Sequence, residues 1–224
     1  MALSDLFSRR RKDDSVPDVP GAGLVSQPTK VLPRFLATLG SKHEPVLLDL
    51  GSVVGSNVSF FGEELGCKIF VEDLSADIDR HAKDGTLGRL PEFLSTRFSQ
   101  PAESVDGILC WDLFDYLDKP AAQALAAQLS RVLKPEGVLV AFFATAAPAD
   151  DALPSYARYV VEDARTLQSR AHPAVRAKQR PLQNRDIQMM FGSLTIAEQF
   201  LLKTHMREVL FRKPAGAAPG AVSS

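Results

Sequence analysis

The chain has 224 residues, a formal net charge of −1 from 26 Lys+Arg and 27 Asp+Glu, and 45% hydrophobic residues, the balance of one soluble globular domain with tails. Two cysteines, Cys67 and Cys110, exclude a disulfide framework, and the histidines at 43, 81, 172 and 205 lack metal-ligand spacing. No apolar run approaches the roughly 20 residues that span a bilayer and no signal-peptide pattern opens the chain, so the expected location is the cytoplasm.

In chain order, residues 1–12 pair one apolar turn with Arg9-Arg10-Arg11-Lys12, and 13–28 read as a Pro/Gly-rich linker. Together, 1–28 form an expected flexible basic arm, whose apolar turn suits a weak membrane-surface or partner contact. A helix is predicted through Val31, Leu32, Phe35, Leu36 and Leu39, with Pro33 at its start or at a kink. Val46–Leu50 reads as a buried strand, followed by a helix from about Asn57 that stops at Gly66. Lys68–Glu72 is a second strand, and Ser75 is the expected cap of the next helix. Phe93-Leu94 is the candidate for a third strand, and Val105–Cys110 reads as a clear buried one. Asp118 caps a helix with Pro120 in its first turn, and Gly137–Phe143 is a further apolar strand. Tyr159–Glu162 alternates like an extra strand, and Asn184 is read as capping a helix that carries Ile187, Met190 and Phe191. Leu194–Leu202 and Arg207–Arg212 are separated by four residues, too few for a parallel crossover, so they form an antiparallel hairpin. Strands buried on both faces and alternating with helices define an α/β doubly wound, mostly parallel sheet. The last eleven residues, 214–224, are small and unpatterned, an expected disordered tail.

In such a sheet ligands bind beyond the carboxyl ends of the strands. Those ends hold Asp49 to Gly55, Glu72 to Ser75, and Trp111 to Tyr116. Gly51 and Gly55 flank a loop entering a helix N-terminus, where backbone approaches a ligand closely. Asp73 stands about 18 residues beyond Gly55, placed to accept from both hydroxyls of a ribose. The loop lacks the G-x-G-x-x-G of a dinucleotide site, and Asp49 would repel a pyrophosphate while suiting an ammonium, which disfavours a nicotinamide-linked oxidoreductase. No G-x-S-x-G elbow supports hydrolase chemistry.

These residues resemble the class I S-adenosylmethionine-dependent methyltransferases over about 29–213. Asp49-Leu50-Gly51-Ser52-Val53-Val54-Gly55 is similar to the family's D-x-G-x-G-x-G, with Val53 at the middle glycine position. Glu72-Asp73-Leu74-Ser75 matches the acid of the second strand followed by Leu-Ser, and Val105–Asp112 resembles the fourth strand and the loop after it. Arg131-Val132-Leu133-Lys134-Pro135-Glu136-Gly137 matches the turn before the fifth. The resemblance implies a Rossmann-like seven-stranded sheet and S-adenosyl-L-methionine as cofactor, held by Asp49, Gly51, Ser52, Val53, Gly55, Asp73, Leu74 and Trp111. Trp111, the single tryptophan, reads either as core or as packing on an adenine. Asp112 is the candidate catalytic base, and Asp115 reads as a surface acid. The family's acid for the adenine amine has no counterpart in Phe93–Gln100.

The net charge is partitioned: +3 over residues 1–12, −9 over 13–150 and +5 over 151–224. This excludes a strong overall nucleic-acid footprint but leaves a basic C-terminal third. Between Arg158 and Arg185 seven bases face two acids, which reads as a solvated basic face or as a surface for an anionic methyl acceptor. Two functional readings follow: a methyltransferase, or a methyltransferase-fold binding and scaffold protein without turnover, with Val53 as the discriminating residue. The methyl acceptor and the oligomeric state are not encoded in any motif.

Overall fold

The computed structural model describes residues 24–149 and 152–215; the expected arm over 1–23 and most of the expected tail, 216–224, lie outside them. The chain begins with strand β1 (Val25–Pro28) and helix α1 (Leu32–Gly40), then β2 (Val46–Asp49) and α2 (Gly55–Ser59), which runs on into a wider π-helical turn over Phe60–Glu64. Next come β3 (Lys68–Val71), α3 (Leu74–Lys83), α4 (Leu90–Thr96), β4 (Val105–Trp111), α5 (Lys119–Val132) and β5 (Leu133–Ala144). A hairpin of β6 (Ser155–Asp163) and β7 (Thr166–Pro173) follows, then α6 (Asn184–Met190), β8 (Thr195–Leu201) and β9 (Met206–Arg212).

Six strands form the main sheet in the order β3-β2-β4-β5-β9-β8. β3, β2, β4 and β5 are parallel, whereas β9 runs antiparallel to both β5 and β8. The terminal hairpin is thus as the short loop requires. The central strands are buried on both faces because their alternate residues enter two cores. Ile108, Cys110, Leu139 and Phe143 join the core under α3, α4 and α5, while Leu109, Trp111, Val140 and Phe142 join the one under α1. Gly107 has a packing reason: a Cβ there would stand 2.8 Å from Leu39 Cδ2 and 2.9 Å from Phe35 Cζ, so α1 can lie on β4 only over a glycine.

Several expectations are corrected. The main sheet has six strands rather than seven, because Phe93 lies in a helix. Leu90 and Leu94 are buried four residues apart, Pro91 sits in the first turn and Glu92 beside it, all helical signals. Residues 25–28, expected to be linker, form β1, paired antiparallel with Thr166–Ser169. Only Gln27 of that strand is buried and its partner is about 140 residues away, so local polarity gave no signal. Pro28 is tolerated because β1 is an edge strand. The single extra strand expected near Tyr159 is one arm of a hairpin, and with β1 it forms a second, three-stranded sheet in the order β1-β7-β6. Asp73, not Ser75, caps α3, its side chain accepting from the Ala76 N–H. Gln183 with Asp186, not Asn184, makes the capping box of α6.

The second sheet lies over the carboxyl ends of the main one. Tyr159, Val161 and Leu167 from it are buried in the same core as Trp111 and Phe142. Asn57 of α2 is buried and stitches the layers: its Nδ2 donates to the Tyr159 carbonyl at 3.0 Å, and its Oδ1 accepts from the Val161 N–H at 2.8 Å. Among the described residues, no helix is long and apolar enough to cross a membrane.

Candidate functional site

Between the carboxyl ends of β2, β3 and β4 and the β6–β7 hairpin lies a cavity of about 300 Å³. Its floor is made by Gly51, Ser52, Asp73, Trp111 and Asp112. One wall is the outer face of α3, with Ala76, Asp79 and Lys83, and the roof is Tyr156, Arg158 and His172.

Asp49 ends β2 just behind this floor. It is buried, and its Oδ1 accepts from the Gly51 N–H at 2.9 Å and from the Trp111 indole N–H at 2.7 Å. Burial pushes its carboxyl up to about 6, against the lowering effect of those two donors. Gly51 is demanded by the tryptophan, since a Cβ there would stand 2.8 Å from Trp111 Nε1 and 2.9 Å from Cδ1. Trp111 itself ends β4 at φ 52°, a left-handed conformation for a bulky residue, beside a register shift in the β4–β5 pairing. Such strain persists only where the surroundings over-determine it. Here the indole is fixed by Asp49, stacks on Tyr159 (centroids 5.0 Å, 10°) and meets the edge of Phe142.

The loop after β4 holds a buried charge cluster. Lys178, from the basic stretch after β7, reaches Asp112 at 2.8 Å and Asp115 at 3.1 Å. The same loop donates from the Gln179 N–H to the Asp115 carbonyl, and Asp115 accepts from the Ala144 N–H at 3.0 Å. Burial pushes Asp115 up to about 6, with Lys178 opposing and the Asp112 charge adding. For Lys178, burial acts downward but the two carboxylates outweigh it and its ammonium is held above the usual range. Asp115 is therefore an interior acid, not the surface acid its polarity suggested.

The roof is fastened to the floor by polar contacts. Arg158 Nε donates to Ser52 Oγ at 3.0 Å. Asp79 Oδ1 accepts from the Tyr156 hydroxyl and from the Val175 N–H, each at 2.9 Å. Asp73 Oδ1 accepts from the Ala76 N–H at 3.1 Å and from the Ser75 hydroxyl at 2.5 Å. Both bonds fall on one oxygen, so capping the helix leaves Asp73 in the cavity wall.

Of the nine residues singled out in the sequence, Gly51, Ser52, Asp73, Trp111 and Asp112 meet at one cavity. Asp49 is one layer behind it. Leu74 turns into the hydrophobic core, and Gly55 and Val53 are exposed, with Val53 half accessible. Lining residues that the motifs missed are Asp79, Lys83, Tyr156 and His172. Arg158 and Lys178 were visible as part of a basic stretch, but charge density could not tell which of its members turn inward.

The family model described as "Methyltransferase domain" matches residues 48–141, from β2 into β5, and so contains the floor but not the roof. Among solved structures, the chain is similar to the PH0226 protein from Pyrococcus horikoshii OT3, at 14% identity over 83% of this chain and 92% of that one, TM-score 0.45. It is also similar to a Burkholderia thailandensis 1,6-didemethyltoxoflavin-N1-methyltransferase with bound 1,6-didemethyltoxoflavin and S-adenosylhomocysteine, at 14% identity over 82% and 76%, TM-score 0.46. A SAM dependent methyltransferase from Aquifex aeolicus matches at 13% identity over 81% and 88%, TM-score 0.47. No curated protein matches the chain.

Proposed function

We propose, on the premise that residues 48–141 match the methyltransferase domain family, that this chain is an S-adenosyl-L-methionine-dependent methyltransferase. The observation that carries this reading is the convergence of Gly51, Asp73 and Asp112 on one cavity at the carboxyl ends of β2 to β4. Asp73 would hold the ribose hydroxyls, and Gly51 and Ser52 the methionyl arm. The residues present fit a cation: Asp49, Asp73, Asp112 and Asp115 stand at these strand ends, and Lys178 pairs with only two of them. One uncompensated carboxylate attracts a unit cation at 5 Å by about 3 kcal/mol at an effective dielectric near 20.

When bound, S-adenosyl-L-methionine supplies a methyl carbon on a cationic sulfur, labile enough that proximity and orientation carry the transfer. Asp112 acts as a fixed anion rather than as a general base, because its carboxylate is already engaged by the Lys178 ammonium at 2.8 Å. Tyr156 and Arg158 cover the cavity from the roof side. A volume of about 300 Å³ lies at the small end of ligand sites, roughly 300–1,000 Å³, so cofactor entry displaces the Trp111 indole from Gly51.

That same indole favours a second reading, a binding protein of this fold without turnover, in which Trp111 permanently fills the glycine loop. The discriminating residue is therefore Trp111 and not Val53, whose half-exposed side chain is outside the cavity. Calorimetry of the full chain with S-adenosyl-L-homocysteine decides. One-to-one binding supports the enzyme. Absence of binding at millimolar ligand in the native chain, with binding regained in Trp111→Ala, supports the scaffold.

A further inference from the structure

We infer that the roof side of the cavity is a subsite for an anionic group, a carboxylate or phosphate on the methyl acceptor, held by Arg158 of β6 and Lys83 of α3. This rests on the methyltransferase reading for the word acceptor, but not for the anion. Both side chains line the cavity from opposite walls, and His172 of β7 lines it beside them.

The carboxylates nearby keep their charges, but among the described residues none pairs directly with Arg158 or Lys83. Asp79 already accepts from the Tyr156 hydroxyl and the Val175 N–H on one oxygen. Asp73 accepts two bonds from the start of α3, and Asp112 belongs to Lys178. Arg158 uses only Nε, on Ser52 Oγ, which leaves the terminal nitrogens of its planar fork for a carboxylate or phosphate. No side chain among the described residues accepts from Lys83. A third cation lies close: Arg176, whose charge acts on the Tyr156 hydroxyl, has a buried Nη1 with no hydrogen-bond partner. Its charge adds to the positive potential on the roof side of the cavity.

The position is suited to an acceptor. Ser52 belongs to the glycine loop, so an anion on Arg158 is one hydrogen bond from the loop that carries the cofactor. The family match ends at residue 141, before Arg158, so the arginine belongs to the roof alone, whereas Lys83 lies within the matched segment.

The test is calorimetric titration of the full chain with inorganic phosphate and with acetate at constant ionic strength, with and without saturating S-adenosyl-L-homocysteine. Phosphate or acetate should bind, and bind still with the nucleoside present; the tighter of the two names the acceptor's group. Arg158→Gln and Lys83→Met should each weaken that anion by about tenfold, a loss exceeding any change in their affinity for the nucleoside. Melting curves establish that both variants fold; Lys83, on the outer face of a helix, serves if Arg158→Gln does not. Anion binding that both variants retain overturns the subsite, as does displacement of the anion by S-adenosyl-L-homocysteine. Failure of the nucleoside to bind, with the anion effects intact, removes the methyltransferase reading and leaves the subsite standing.

Discussion

The floor and the roof of the cavity are built from opposite charges and from different parts of the chain. The floor comes from the segment with net charge −9, and its acids Asp49, Asp73, Asp112 and Asp115 stand at the ends of parallel strands. The roof comes from the segment with net charge +5, and presents Arg158, His172 and Lys178 from a hairpin and the loop after it. The floor is held by backbone ladders and caps that any sheet of this topology needs, whereas the roof is held by side-chain contacts to that floor. The acidic floor and the basic roof thus meet across one cavity although they come from separate segments of the chain. The shared family match covers only the floor.

The contrast can be broken most severely at Lys178, where roof and floor meet. Lys178→Met leaves Asp112 and Asp115 buried without a cation and should cost about 3–5 kcal/mol at pH 7.5 by denaturant unfolding. The loss should shrink at pH 5, where Asp115, with its carboxyl near 6, takes up a proton. An equal loss at both values would mean that the pair acts by packing alone.

On the floor, Asp73→Asn keeps a good helix cap but removes the carboxylate. Affinity for S-adenosyl-L-homocysteine should fall by about 10- to 100-fold in calorimetry, with little change in Tm. A drop in Tm without a drop in affinity would reduce Asp73 to its capping role.

Asp49→Asn should act with the opposite sign on stability. The folded carboxyl is raised to about 6 from an ordinary 3.8, so the folded state binds more protons between these values, and stability is lost as pH rises through that window. Asparagine keeps an acceptor for Gly51 and Trp111 without the charge. It should therefore stabilise the chain by about 1–2 kcal/mol at pH 7.5, and by nothing at pH 4, while weakening a cationic ligand.

The smallest effect is spectroscopic. Trp111 is the only tryptophan in the chain, so the intrinsic emission reports this site alone. Its emission should change near pH 6 as Asp49 titrates, and again when S-adenosyl-L-homocysteine moves the indole off Gly51. An emission indifferent to the nucleoside in a chain that binds it would place the ligand away from the glycine loop.

Much of the floor was legible because its signals are local. Val46–Asp49 and Val105–Trp111 are short, mostly apolar runs closed by polar loops, and Asp118 with Pro120 announces a helix within three residues. Motif spacing located five of the nine singled-out residues at the cavity, since a strand-loop-helix turn fixes where its residues point. It failed at Leu74, which follows the capping residue and turns inward with the helix, and at Val53 and Gly55, which lie on the solvent side of the loop. Gly51 was found for an incomplete reason: the sequence read it as room for a ligand, and in the fold that room is taken by an indole 60 residues away.

The sequence by itself determined the parallel α/β sheet, the closing hairpin and the strand ends around which the cavity forms, because apolar periodicity and short loops act within a few residues. Only the tertiary structure decided that residues 25–28 and 155–173 close over those ends as a second sheet, and that Phe93 belongs to a helix. It also decided which of seven bases turn inward. Lys178 is drawn to Asp112 and Asp115, and Arg158 to Ser52, by partners 63 to 106 residues distant. Charge in a sequence has sign and density but no direction; direction comes from the acceptor, charged or neutral, that the fold brings within hydrogen-bonding reach.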